Sequence, residues 1–198
     1  IKIALALIIP AAFGLIILSE TIVSVIYEYG VFGSEEVKIV SNVLIGFSLG
    51  LPAYVLIRIF SSAFYSMSDT KNPLKFSLYA ISINIVLSIP LFISFGVIGI
   101  AYATSISAWI HVLIFYKKLK KLSLVLFGKD TLTDIIKVLF SSAIMFLILS
   151  LLINNINLIY PAISLVILVI IGLISYLVCL FFIGFYRKDD IKTFIKDF

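Results

Sequence analysis

Long uninterrupted apolar runs constrain this chain more than any other feature. Six stretches, at residues 3–27, 38–66, 74–94, 97–116, 132–153 and 159–185, are long enough to cross a bilayer, which takes about 20 mostly apolar residues in a helix. With 63% of its residues hydrophobic and 13% charged, the chain has too little polar side chain to cover a water-soluble fold. Hydrocarbon offers backbone groups no partners, so only helices and closed barrels span it. The runs far exceed the roughly 10-residue alternating strands of a barrel. The expected fold class is an all-α membrane protein of about six transmembrane helices.

Breakers separate the runs. Gly30, Gly33 and Ser34 close the first, Asp69 to Pro73 part the second from the third, and Gly96 and Gly99 mark a tight turn. Gly128 to Thr133 form a polar loop, and Asn154, Asn155, Asn157 and Pro161 the last turn. Four helices over 1–121 and a further pair with a basic tail over 122–198 are the expected units. All of the 15 Lys and Arg residues except Lys38 and Arg58 fall at alternate ends of the spans, on one side. The positive-inside rule places that side in the cytoplasm, with both ends of the chain there. The net charge of +5 is therefore read as membrane orientation, and nucleic acid is excluded as a partner. Membrane lipids are the expected surroundings. The chain opens at Ile1 and its first run lacks a small-residue cleavage site, so it reads as a fragment rather than as a chain led by a signal peptide.

Several residues stand out from the apolar background. Arg58 lies about 12 Å inside its span, where a charge costs about 2.5–3.5 kcal/mol on insertion scales unless it faces a cavity or partner. Tyr54, Ser61, Ser62 and Tyr65 fall on or near its face, so a hydrated cavity is expected there, with snorkelling to headgroups as the rival reading. Pro10 and Gly14 in the first run, and Gly46, Gly50 and Pro52 in the second, predict two bent or broken helices. Paired interrupted helices point to a transporter's binding region, and Pro10, Gly14, Gly50 and Pro52 are candidate hinges. Asn84 reads first as an interhelical hydrogen-bonding group and second as a substrate contact. Gly99, Ala103, Ser107 and His111 make a small-residue packing stripe, with His111 at the interface. In Asp69-Thr70-Lys71-Asn72-Pro73 a new helix is expected to start, capped by Asn72 with Pro73 in its first position; Asp69 and Thr70 are then surplus and suggest a switch contact. Lys117, Lys118, Lys120 and Lys121 read as an anchor at anionic headgroups. No protease, hydrolase, nucleotide-binding or Cys/His metal motif occurs, so no cofactor, metal or catalytic residue is expected.

The stretch Gly50-Leu51-Pro52, Arg58 and Ala63-Phe64-Tyr65-Ser66-Met67-Ser68-Asp69-Thr70-Lys71-Asn72-Pro73-Leu74-Lys75 resembles the signature of the MurJ/MviN lipid II flippases, within the multidrug/oligosaccharidyl-lipid/polysaccharide exporter superfamily. Gly96-Val97-Ile98-Gly99-Ile100-Ala101-Tyr102-Ala103-Thr104-Ser105, Ala108-Trp109, Pro10 to Leu15 and Tyr27 to Phe32 are similar to it as well. Asn72 departs from the usual threonine and Thr21 from a common proline. The resemblance covers about residues 4–121. It implies the ninth to fourteenth helices of a fourteen-helix flippase, with a missing N-terminal lobe of the same chain as partner. The implied substrate is lipid-linked peptidoglycan precursor, flipped from the inner to the outer leaflet of the bacterial cytoplasmic membrane. The helices from about 132 onward would flank a groove for its isoprenoid tail. Another polysaccharide-lipid flippase and a multidrug cation antiporter are the rivals within the superfamily; the antiporter would need buried acids, and only Glu20 is a candidate. A non-transporting membrane scaffold needs neither Arg58 nor interrupted helices.

Overall fold

In the computed structural model, residues 1–30, 32–122, 129–153, 155 and 161–185 are described. The basic tail from Arg187, Val31, the segment from Ser123 to Gly128 and the turn residues Asn154 and Asn157 lie outside them. Every regular element among the described residues is helical: α1 (Lys2–Ile17), α2 (Ser19–Tyr27), α3 (Ser34–Ser48), α4 (Leu51–Ser66), α5 (Lys71–Phe95), α6 (Val97–Lys121), α7 (Lys129–Leu152) and α8 (Pro161–Phe182).

Five segments are long and apolar enough to cross a membrane, and α1 with α2, bent by 68°, supplies a sixth as one broken span. The helix ends agree with that sixth crossing. Lys2 at the start of α1 pairs with Asp134 in the first turns of α7, 2.9 Å away. The turn after α4 lies within electrostatic reach of Lys118 near the end of α6. Read as one broken span, α1 and α2 carry the chain from the end where Lys2 meets Asp134 to the start of α3. The protein is a multi-pass membrane protein.

Helices α3 and α4 together form one 33-residue span, about 50 Å at 1.5 Å per residue, against a hydrocarbon core of about 30 Å. The excess carries polar groups. Glu35 and Glu36 occupy the first turn of α3, and the Glu36 carboxylate accepts from the Gly33 N–H at 3.0 Å.

The core runs the length of the bundle. Near the basic end Phe60, Phe64, Phe76 and Phe115 pack edge to face and tilted, with centroids 5.2–6.3 Å apart. Toward the other end Leu149 and Leu168 join α7 to α8. The turn between α5 and α6 is a single residue, Gly96, at φ +61°. Behind it a side chain at Gly99 would run into the Leu91 carbonyl, so glycine there permits the contact between the two helices. The expected packing role of the Gly99, Ala103, Ser107 and His111 stripe agrees with their burial. His111 itself is 6% exposed and stacks on Phe115 at 4.9 Å, so at its level of α6 it faces the bundle interior.

Candidate functional site at the interrupted helices

Proline in a helix leaves the carbonyl four residues earlier without its donor. In α1 that carbonyl belongs to Ala6, and the hydroxyl of Tyr176, on α8, donates to it at 2.6 Å. With this carbonyl occupied, α1 runs helical through Pro10 and Gly14 to Ile17. The bend falls instead at Leu18, where the Ser19 hydroxyl takes the Ile16 carbonyl at 3.0 Å. Such back-bonding by serine weakens the backbone ladder and bends helices.

The second interruption, between α3 and α4, is built differently. The Gly50 N–H turns to the Phe47 carbonyl, leaving that of Gly46 to accept from the Ser105 hydroxyl at 2.5 Å. Four residues along α6, the Trp109 indole N–H donates to the Leu49 carbonyl at 3.0 Å. Pro52 lies in the first turn of α4, where it needs no donor of its own. The approach is close. A Cβ on Gly46 would lie 2.8 Å from that of Ala101, and one on Gly50 2.6 Å from the Ser105 hydroxyl.

Between the two interruptions lies a cavity of about 590 Å³. Its walls are Leu5, Ile9, Ala12, Phe13 and Ile16 of α1, Ser48, Leu49, Pro52 and Leu56 at the α3–α4 break, Tyr102, Ser105, Ile106 and Trp109 of α6, and Ile135 and Leu139 of α7. Almost all of this lining is apolar, which suits a hydrocarbon chain and not a charged headgroup. Among the described residues no group of His, Cys, Asp and Glu is placed to hold a metal ion.

The polar residues expected at a substrate cavity sit elsewhere. Arg58, Tyr54, Ser62 and Tyr65 are exposed and Ser61 half-buried, on the side of α4 away from its buried Ala53, Leu56, Phe60 and Phe64. None of them lines the apolar cavity. Asn84 is half-buried on α5 and accepts from Ser88 of its own helix at 2.9 Å, rather than reaching across to a neighbour. The structure thus does not bring Asn84 and Arg58 into one enclosed pocket. Candidate hinge residue Pro52 lines the cavity, whereas Gly14 faces open space.

At the turn after α4, capping is by Asp69 and not by Asn72. The Asp69 carboxylate accepts from the Asn72 N–H at 3.0 Å and from the Asn72 side-chain amide. Helix α5 starts at Lys71, with Thr70 at its boundary and Pro73 in the third position. These hydrogen bonds from Asn72 hold the Asp69 carboxyl below the ordinary carboxylate value, with Lys118 adding to the effect. Its folded-state pKa being depressed, the cap contributes at neutral pH and is lost only as pH falls below the ordinary value, about 3.9. Just before it, Ser68 takes φ +58°, with its N–H on the Tyr65 carbonyl and that of Asp69 on the Phe64 carbonyl, a Schellman ending. Asp69 is therefore shared between the end of one helix and the start of the next.

Three side chains that hold the interrupted helices, Tyr176, Ser105 and Trp109, are given no such role by the sequence, although Ser105 and Trp109 lie in stretches that carry the resemblance. The only signal for them is a hydrogen-bonding side chain in a span where a partner must exist.

Crossing helices, two of them interrupted beside an apolar cavity, define a multi-pass helical membrane protein. The lipid II flippase MurJ family model matches residues 1–171. A probable lipid II flippase MurJ of Rickettsia prowazekii is 44% identical over 116 residues, 59% of this chain and 23% of that protein. The lipid II flippase MurJ of Thermosipho africanus is 31% identical over 98% of this chain and 38% of its own. A solved lipid II flippase MurJ in an inward closed conformation superposes with a TM-score of 0.79 at 31% identity, covering 92% of this chain and 37% of that one. The chain belongs to the MurJ lipid II flippase family, and it spans well under half the length of these relatives.

Proposed function

We propose that this chain is the C-terminal part of a flippase that moves lipid-linked peptidoglycan precursor from the inner to the outer leaflet of the bacterial cytoplasmic membrane by alternating access. The observation that carries this reading is the likeness, at 31% identity over 92% of the chain, to a lipid II flippase caught in one closed conformation. The basic end, with Lys2, Lys71, Lys75 and Lys117 to Lys121, faces the cytoplasm. Residues 1–121 belong to the C-terminal lobe and 122–198 to an added helix pair. The N-terminal lobe of the same chain completes the protein.

A division of labour follows from polarity. The cavity between α1, the α3–α4 break, α6 and α7 is almost wholly apolar, so it suits the lipid's tail. The exposed polar face of α4 around Arg58 suits an anionic headgroup once the other lobe encloses it. An isolated charge there needs such a partner.

The test is headgroup flipping by the complete protein in sealed vesicles, read by an impermeant quencher acting on a fluorescent lipid-linked sugar. Arg58→Ala is expected to reduce flipping at least tenfold at normal expression, and Arg58→Lys to retain part of it, because charge matters more here than fork geometry. Full flipping by the alanine variant would return Arg58 to a headgroup-reaching role.

A further inference from the structure

In α1 a proline has released a carbonyl deep in the bundle, and that carbonyl is occupied from 170 residues away. Tyr176 is 6% exposed, and its hydroxyl donates to Ala6 at 2.6 Å. One turn toward the basic end, Lys2 binds Asp134 of α7 at 2.9 Å and lies 4.6 Å over the Phe185 ring that follows α8. Lys137 closes the pair by donating to the Gly184 carbonyl at 2.9 Å. Helix α8 also packs against α2, beyond the 68° bend. A single helix thus touches both limbs of the bent unit and fills the one backbone vacancy that would let its first limb flex.

We propose that Tyr176 is a positioning residue that holds α1 in its present helical course across Pro10, and that release of its hydrogen bond to Ala6 shifts the bend of the α1–α2 unit during the transport cycle. The latch is bistable for a physical reason. A carbonyl without a partner in an apolar bundle is unfavourable, so it is either held by Tyr176 or re-satisfied by water or a tightened helical turn after the helix has bent. Intermediate positions satisfy neither arrangement. The added helix pair then sets the conformation of the lobe as well as flanking a cavity. This inference rests on the alternating-access reading above, but its test needs no lipid substrate.

Spin labels at Tyr27 and Lys120, in a cysteine-free form of the complete protein in detergent, report the bend of α2 against the end of α6. Tyr176→Phe keeps the ring and removes only the donor. It is expected to shift the ratio of the distance populations about tenfold, equivalent to about 1.4 kcal/mol. Pro10→Ala restores an N–H for the Ala6 carbonyl, so in that background Tyr176→Phe should move the ratio less than twofold. Unchanged distances in Tyr176→Phe, even with a lowered melting temperature, would overturn the latch. So would equal shifts in the two backgrounds. Loss of flipping activity in every form, with the distance shift still seen, would count against the transport reading and leave the latch standing.

Discussion

The two interrupted helices carry the same kinds of residue and respond in opposite ways. The α3–α4 unit, with Gly46, Gly50 and Pro52, stays within one span, whereas α1–α2, with Pro10 and Gly14, bends by 68°, and does so at Leu18. The difference lies in the neighbours. On α3–α4, the carbonyls of Gly46 and Leu49 are taken by α6, and both glycines are pressed against Ala101 and Ser105. On α1, Tyr176 fills the vacancy at Pro10, Gly14 has nothing within 4 Å, and Ser19 opens the ladder one turn later. A breaker residue creates the possibility of a bend; the surrounding donors decide whether and where it is used.

Three substitutions probe this contrast. Gly46→Ala places a methyl 2.8 Å from the Ala101 Cβ, so α3 and α6 must separate; unfolding in detergent should show a loss of about 1–3 kcal/mol. An unchanged melting temperature would mean that the close approach is not required. Ser105→Ala leaves the Gly46 carbonyl without its donor in a buried site, with an expected loss of about 1–2 kcal/mol and a larger angle between α3 and α4 in label-distance measurements. Gly14→Ala has the opposite sign. Nothing crowds the position and the backbone is helical, so a gain of about 0.5–1 kcal/mol is expected. A loss there would show that Gly14 is packed as tightly as its counterparts on α3–α4.

The spans were legible because hydropathy over about 20 residues integrates many weak signals. The contrast between the two units was not. Pro10 marks the Ala6 carbonyl as vacant from sequence alone, but the identity of its donor depends on a contact 170 residues away. Asn72 looked like a cap because its residue type suits one, yet the helix begins earlier and Asp69 provides the acceptor. Asn84 looked available for a neighbour, but Ser88, one turn on, satisfies it locally. The distance of His111 from the lysines gave its level along α6 but not its direction, which is inward onto Phe115. Arg58 illustrates the converse: its face on α4 is polar in the sequence and exposed in the structure, apart from the apolar cavity.

The single-residue turn at Gly96 also bears on how the protein is made. Two 25-residue helices joined by one glycine have almost no loop to close, so their pairing involves little of the chain entropy that opposes distant contacts. Helix α5 finds nearly all its neighbours on α6, and its exposed side is apolar along most of its length. The two segments are therefore suited to enter the bilayer together as a preassembled hairpin, before α7 and α8 have been synthesised. Local pairing of this kind forms quickly, and it gives the later helices a finished surface on which to assemble.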